Sequence, residues 1–233
     1  MSVAKLNNAL DRADRYAPYL RLLMQRHPHV RDLLAAGDLT GALACHNKAA
    51  QADKPVGEAL RDAKGALALA VAIGDLAGLL DLEDVTGLLS DFADLALDRA
   101  IKAAILEYRP GAEPIGLAAI ALGKHGSREL NYSSDIDPIL IFDPQTLPCR
   151  ERDEPVEAAV RIGRRVVELM QARTEHGYVF RIDLRLRPSP EVTPIVIPVE
   201  AAISYYESQA LAWERAAFIR SRACSGDLGL GQY

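Results

Sequence analysis

Basic charge is in short supply. Lys and Arg total 27 against 32 Asp and Glu, which leaves a net charge of −5 at pH 7. A protein whose main task is to hold long nucleic acid needs a basic surface, so this balance argues against that role while leaving room for a local basic pocket. Cysteine is scarce too. Cys45, Cys149 and Cys224 are odd in number and widely spaced, which argues against a disulfide framework or a structural zinc site and fits a reducing cytoplasm. Cys45 and His46 are adjacent, but no second ligand pair stands at zinc-site spacing. Long apolar runs are absent. The richest stretch, Ala66 to Leu82, is broken by Gly74, Asp75, Gly78 and Asp81, so no window approaches the ~18 apolar residues of a membrane span. The first sixteen residues, MSVAKLNNALDRADRY, carry charge throughout and lack the apolar segment of a secretory signal.

What is present is ordinary globular composition: 233 residues, 49% apolar and 25% charged. A chain of that length forms one large domain or two small ones and buries roughly 70% of the surface it exposes when unfolded. Two textures are visible. Residues 1–108 are rich in Ala, Leu and Asp and read as a helical N-terminal region. Asp84, as N-cap, precedes Val85, Leu88, Leu89, Phe92, Leu95 and Ala96 at helical spacing, and Arg109-Pro110-Gly111 stops that helix. Tyr16–Leu34 reads as two short helices parted at Pro28, and Gln51–Pro55 as a linker. Residues 109–233 read as a second, mixed domain. Ile115–Leu122 and Ile136–Phe142 are apolar runs that suggest buried strands. Glu154–Ala172 is a helix with Val156, Ala159, Val160, Val167 and Met170 on one side. Tyr178–Leu186 alternates, with Phe180, Ile182 and Leu184 facing one way and Arg181, Asp183 and Arg185 the other, as a strand does. Pro198–Arg222 reads as a final helical stretch. The fold class is therefore α+β: a helical region, then a mixed sheet flanked by helices.

Asp135 and Asp137 carry the chemistry. One residue apart in an extended segment, they share a face. Side-by-side carboxylates repel and are costly to bury unless a cation lies between them. Magnesium takes hard oxygen ligands, commonly one or two carboxylates plus phosphate oxygens. Asp183, the acid on the charged face of its own segment, is the candidate third ligand, and the three carboxyl groups are expected within reach of one metal pair. A lone Asp-x-Asp is usually a solvated turn. Here it lies in an apolar segment with Gly126-Ser127 upstream, and that turn offers backbone N–H groups and a hydroxyl to a phosphate, with Ser127–Leu130 opening a short helix. Ser134, beside the first aspartate, joins Gly126, Ser127, Arg185 and Arg187 as candidate nucleotide-binding residues; the two guanidinium groups suit bidentate contact with phosphate oxygens. His125 reads as structural, His27, His29, His46 and His176 as surface residues, and Tyr205, Tyr206 and Trp213 as core packing.

Gly-Ser, a short spacer, Asp-x-Asp and a later strand carboxylate resemble the nucleotidyltransferase superfamily that includes DNA polymerase β. A closer resemblance is to bacterial glutamine synthetase adenylyltransferase, the bifunctional adenylylating and adenylyl-removing enzyme. It rests on Leu122-Gly-Lys-His-Gly-Ser-Arg-Glu-Leu-Asn-Tyr-Ser-Ser-Asp-Ile-Asp137, on Phe180-Arg-Ile-Asp-Leu-Arg-Leu-Arg-Pro188, and on Tyr205-Tyr206 with Trp213-Glu-Arg-Ala216 and Arg220-Ser-Arg222. Ile73-Gly-Asp-Leu76 to Leu89-Ser-Asp-Phe-Ala-Asp94 resembles the helical segment before the catalytic domain. The resemblance implies a polymerase β-like sheet and Mg²⁺ held by Asp135, Asp137 and Asp183. The Arg-Glu-Leu-Asn and Phe-Arg-Ile-Asp forms are similar to the N-terminal, adenylyl-removing half, so the chain is expected to be an N-terminal fragment. Its expected reaction is phosphorolysis of adenylyl-tyrosine on adenylylated glutamine synthetase, with phosphate as nucleophile and ADP as product, in the cytoplasm and in the service of nitrogen assimilation. Two alternatives remain: AMP transfer from ATP to that tyrosine, and a non-catalytic module that docks glutamine synthetase or a PII-type signal protein. The chain departs from the family at His125, Ser127 and Pro138, where Leu, Gly and an aliphatic residue are usual.

Overall fold

A computed structural model describes residues 2–232, and the chain divides into two compact units. The first comprises residues 2–89 with 175–177. It is built from α1 (Ser2–Tyr16), α2 (Pro18–Arg26), α3 (Pro28–Ala36), α4 (Leu39–Ala50), α5 (Val56–Leu76) and the start of α6 (Leu82–Tyr108). Pro18 and Pro28 occupy first-turn positions, where a missing N–H costs nothing and the fixed φ suits a helix. Gly37 ends α3 in the left-handed region at φ +91, and the N–H groups of Gly37 and Asp38 return to Leu34 and Leu33, a glycine-dependent helix stop. Asp38 then caps α4 by accepting from Gly41 N at 2.7 Å. Leu6, Leu10, Leu23, Val30, Leu34, Leu69 and Ile73 form the core of this unit. His27, read as a surface residue, is buried at 8% exposure, because its ring lies against the bare backbone of Gly65.

α6 begins at Leu82, earlier than expected. Asp84 N donates to Asp81 Oδ1 at 2.8 Å and Asp81 N donates to Asp84 Oδ2 at 3.1 Å. Asp81 is the cap, and Asp84 closes the reciprocal pair three residues on.

The second unit comprises residues 90–174 and 178–232. Besides the remainder of α6 it contains β1 (Leu117–Ala121), α7 (Gly123–Gly126), β2 (Pro138–Phe142), α8 (Pro155–Gln171), β3 (Val196–Pro198), α9 (Val199–Ser208), α10 (Ala212–Phe218), β4 (Arg222–Gly226) and a closing 3-10 turn at Leu230–Gln232. The strands form one mixed sheet in the order β3-β2-β1-β4. β1 is antiparallel to β2 and β4, and β2 is parallel to β3. This is the expected α+β class, a small mixed sheet flanked by helices. β4 was not anticipated. Its sequence, Arg-Ala-Cys-Ser-Gly, has no run of β-branched residues, and its place comes from pairing with β1.

The sheet's two faces follow from the strand period of two. On one, Leu117, Ala119 and Ala121 align with Phe142, Leu140 and Pro138. α8 closes on it so tightly that a Cβ on Gly163 would stand 2.3 Å from Val196. The buried stripe of α8 is Ala159, Ile162, Gly163, Val166 and Met170. Val156, expected on that side, is exposed. On the other face Ile120, Ile139 and Ile141 join Val199 and Ala202 in a second apolar cluster. Pro138 stands at the first position of β2, where its partner on the β3 side has not yet begun, so the missing donor breaks no ladder bond.

Candidate active site

Asp135 and Asp137 lie in an extended lead-in just before β2, not within the strand. Leu122 N donates to the Asp137 carbonyl at 3.2 Å, which carries the β1–β2 ladder one step beyond Pro138. On the opposite side Ile136 forms a parallel bridge with Ile182. Ile136 N donates to Arg181 O at 3.0 Å and Asp183 N donates to Ile136 O at 2.9 Å. That register sets Asp137 beside Asp183 and Asp135 beside Arg181, all on one face.

The charges agree with the register. Arg181 forms an ion pair with Asp135 and also holds Ser133 O at 3.0 Å. Arg185 clamps Asp183, its Nε at 2.9 and 2.8 Å from the two carboxylate oxygens, and this contact holds the Asp183 carboxyl below the usual carboxylate range. Asp137 has no such partner: no hydrogen bond reaches its carboxylate among the described residues. Burial, then the charges of Asp183 and Asp135, push its carboxyl up. Three acids with two guanidinium groups leave a half-buried carboxylate short of positive charge. An oxygen-only donor set of this kind fits a hard dication such as Mg²⁺.

Tyr178–Leu186 is not a strand. Val179 N and Phe180 N both donate to Met170 O, at 3.0 and 3.1 Å, and this draws the segment onto the end of α8. Val179 and Phe180 are consequently both buried, against strict alternation, and pairing survives only at Ile182. Gln171 at the end of α8 donates to Ile182 O at 2.8 Å, which seats the residue before Asp183.

The turn upstream also differs from expectation. Its helix precedes Ser127, as the single turn α7, and does not begin there. Gly126 is glycine for a reason internal to the chain: a Cβ would stand 1.8 Å from Arg220 O and 2.8 Å from Ala121 O. Gly123, at φ +56, is the glycine nearer the acids, since its Cβ would lie 3.3 Å from Asp137 Oδ2. The Ser127 hydroxyl lies 3.0 Å from both Gly123 O and Glu129 Oε2. Ser134 pairs with Asn131 within its own turn. Arg187 does not join the carboxylates. Its guanidinium donates to the carbonyls of Leu184, Pro190, Thr193 and Pro194, and so fastens the loop that leads away from Asp183.

A second polar cluster lies behind α7. His125 is fully buried, and its Nε2 is 2.7 Å from Asp94 Oδ1. Arg222 donates to both oxygens of Asp94, at 2.7 and 2.9 Å. Burial pushes the Asp94 carboxyl up, but the bonds from His125 and Arg222 outweigh it and hold the group below the ordinary range. Asp94, His125 and Cys224 offer ligand atoms within 4.8 Å of one another. The carboxylate is already neutralised by Arg222, however, and burial pushes the Cys224 thiol up to about 12. This is an ion-pair network in character rather than a metal centre. Residue pattern alone did not reveal the roles of Arg181, Asp94 and Arg222, although all three stand in the quoted motifs. The same holds for Glu214, buried at 6% exposure, which accepts from Tyr205 Oη at 2.8 Å and Leu211 N at 2.7 Å. Tyr206 packs on Phe218 with ring centroids 4.1 Å apart, whereas Trp213 is 55% exposed and not part of the core.

A family model described as glutamate-ammonia ligase adenylyltransferase matches residues 10–232. Among curated proteins, a bifunctional glutamine synthetase adenylyltransferase/adenylyl-removing enzyme of Rhizobium meliloti is 39% identical over 99% of this chain and 26% of its own length. Proteins of the same description from Caulobacter vibrioides and Xanthobacter autotrophicus are 42% and 41% identical, over 92% and 88% of this chain and 24% and 21% of their own. The chain thus spans about a quarter of the length of these relatives. Among the described residues, no helix is long and apolar enough to cross a membrane.

Proposed function

The chain belongs to the glutamate-ammonia ligase adenylyltransferase family, and from that premise we propose that Asp135, Asp137 and Asp183 form a magnesium-dependent nucleotidyltransferase site acting on glutamine synthetase. The reaction proposed is removal of AMP from adenylyl-tyrosine by phosphorolysis, giving ADP and the free tyrosine. Residues 109–233 are the catalytic domain in this reading, cytoplasmic and serving nitrogen regulation. The observation that carries it is the parallel register at Ile136 and Ile182, which sets Asp137 beside Asp183 with no ion pair to the Asp137 carboxylate among the described residues.

The three carboxylates would hold the divalent cations. Bound there, such cations lower the charge on an attacking phosphate and stabilise a leaving tyrosyl oxygen. Arg181 and Arg185 neutralise Asp135 and Asp183 when no metal does so. Cation binding would free both guanidinium groups, 46% and 84% exposed, to take phosphate oxygens. Gly123 lets the main chain pass against Asp137. Arg187 and Gln171 hold the two ends of the Asp183 segment.

The experiment is product analysis with adenylylated glutamine synthetase, Mg²⁺ and phosphate. Wild type is expected to release ADP in a phosphate-dependent way. Asp137→Asn is expected to lose turnover by more than about 100-fold with its circular dichroism unchanged. Full deadenylylation by Asp137→Asn would refute the metal role. Pyrophosphate release from ATP, in place of ADP release, would reverse the direction.

A further inference from the structure

Arg181 and Arg185 meet the same group of acids but are held differently. Among the described residues the Arg185 side chain has one partner, Asp183, and is largely exposed. Arg181 has three. Its Nε–Nη2 edge meets Asp135, its Nη2 also donates to Ser133 O at 3.0 Å, and its Nη1 donates to Tyr178 Oη at 2.9 Å. The two uncharged anchors are themselves fixed. Ser133 N donates to Asn131 Oδ1 at 3.1 Å. Tyr178 directly precedes the two residues whose N–H groups bond Met170 O. Two guanidinium groups stand over its ring, Arg173 at 5.5 Å and Arg181 at 5.8 Å from the centroid.

We propose that Tyr178 is a positioning residue of the reaction, which with Ser133 O keeps Arg181 aimed at the carboxylates after a divalent cation has taken Asp135. The inference rests on the site reading above and separates the two arginines within it. A guanidinium is a rigid planar fork. With two of its bonds kept, it stays in place when Asp135 is withdrawn. The edge left open, Nε with Nη2, is the edge that takes two phosphate oxygens at once. Arg181 is then a fixed clamp, oriented before phosphate arrives, and little side-chain freedom is lost on binding. Arg185, once released from Asp183, has no second anchor and is ordered by the phosphate itself. Tyr178 acts through Arg181 and not on the ligand, because its hydroxyl sits at Nη1, off the Nε–Nη2 edge.

The test is calorimetric titration of the full chain, first with Mg²⁺ alone and then, on the Mg²⁺-saturated chain, with inorganic phosphate. Tyr178→Phe deletes the acceptor oxygen and keeps the ring, and circular dichroism checks its fold. It is expected to bind Mg²⁺ within about twofold of wild type and phosphate about five- to tenfold more weakly. In the Arg181→Met background the same substitution is expected to change phosphate affinity by less than about twofold, since nothing is left for Tyr178 to act through. In turnover the loss should fall on KM for phosphate, with kcat nearly kept. Phosphate binding unchanged in Tyr178→Phe, with Asp137→Asn abolishing Mg²⁺ binding, overturns the positioning role and keeps the catalytic reading. An equal loss in both backgrounds also overturns it, because the effect then bypasses Arg181. Mg²⁺ and phosphate binding lost together in Tyr178→Phe report general damage and overturn it as well. Wild type that binds no Mg²⁺ overturns both.

Discussion

Gly126→Ala offers a test of what the turn before the acids is for. A methyl group placed there would lie 1.8 Å from Arg220 O, 2.8 Å from Ala121 O and 2.9 Å from the Arg220 carbonyl carbon. All three are backbone atoms. Neither strand end can yield readily, because Ala121 is laddered to Pro138 and to Arg222. The Arg222 guanidinium is tied to Asp94, to His125 O and to Gly126 O. Inserting a methyl group where only main chain can move costs about 1–3 kcal/mol, and more where relaxation is blocked. A loss of about 3 kcal/mol is expected, or a midpoint lowered by roughly 6–12 °C for a chain of this size. The control is Gly87→Ala in α6, where a Cβ meets nothing within 4 Å; relief of backbone entropy should stabilise it by about 0.5–1 kcal/mol. Both are read by thermal and denaturant unfolding without ligand. If Gly126→Ala melts within about 2 °C of wild type, yet fails to bind Mg²⁺-ADP, the glycine serves a ligand and the packing argument is wrong.

The carboxylates and their supports give further expectations. The raised carboxyl of Asp137 costs stability once pH exceeds its unfolded pKa, fully so above its folded one. Metal-free Asp137→Asn should therefore melt higher than wild type at neutral pH, the gap closing in acid, and Mg²⁺ should raise the midpoint of wild type but not of the variant. Asp94 has the opposite sign: its lowered carboxyl stabilises above the unfolded pKa, and that contribution is lost as pH falls through the folded one. Asp94→Asn should cost about 3 kcal/mol at pH 7 by stranding Arg222 beside His125, and progressively less in acid; a pH-independent difference in denaturant unfolding would contradict this. Arg187→Met should speed amide exchange across residues 184–194 and lower turnover while circular dichroism holds, whereas unchanged exchange would show that the four carbonyl bonds do not fasten the loop.

Local pattern and long-range register were legible to different degrees. Helices were legible through spacing and punctuation where both were present: Pro28 parts α2 from α3 within Tyr16–Leu34, and the apolar run Ile136–Phe142 contains β2. Caps were less legible, because Asp81 and Asp84 are chemically alike and only the reciprocal hydrogen bonds tell cap from third residue. β4 was hidden because an inner partner, not its own side chains, makes it a strand. The site shows the division most clearly. Alternation across Tyr178–Leu186 suggested a strand with Asp183 facing the acids. The strand is absent, and yet Asp183 stands beside Asp137, because one bridge at Ile182 sets the register and Met170 O together with Gln171 seats the segment from α8. Composition cannot reveal a carbonyl at a helix end that accepts two N–H groups from nine and ten residues downstream. Arg185 and Arg187 illustrate the same limit. Two residues apart on a supposed strand, they should act alike; instead Arg185 meets Asp183 while Arg187 turns into the loop carbonyls. The chain bends between them at Leu184–Arg187, so a period of two no longer governs where their side chains go.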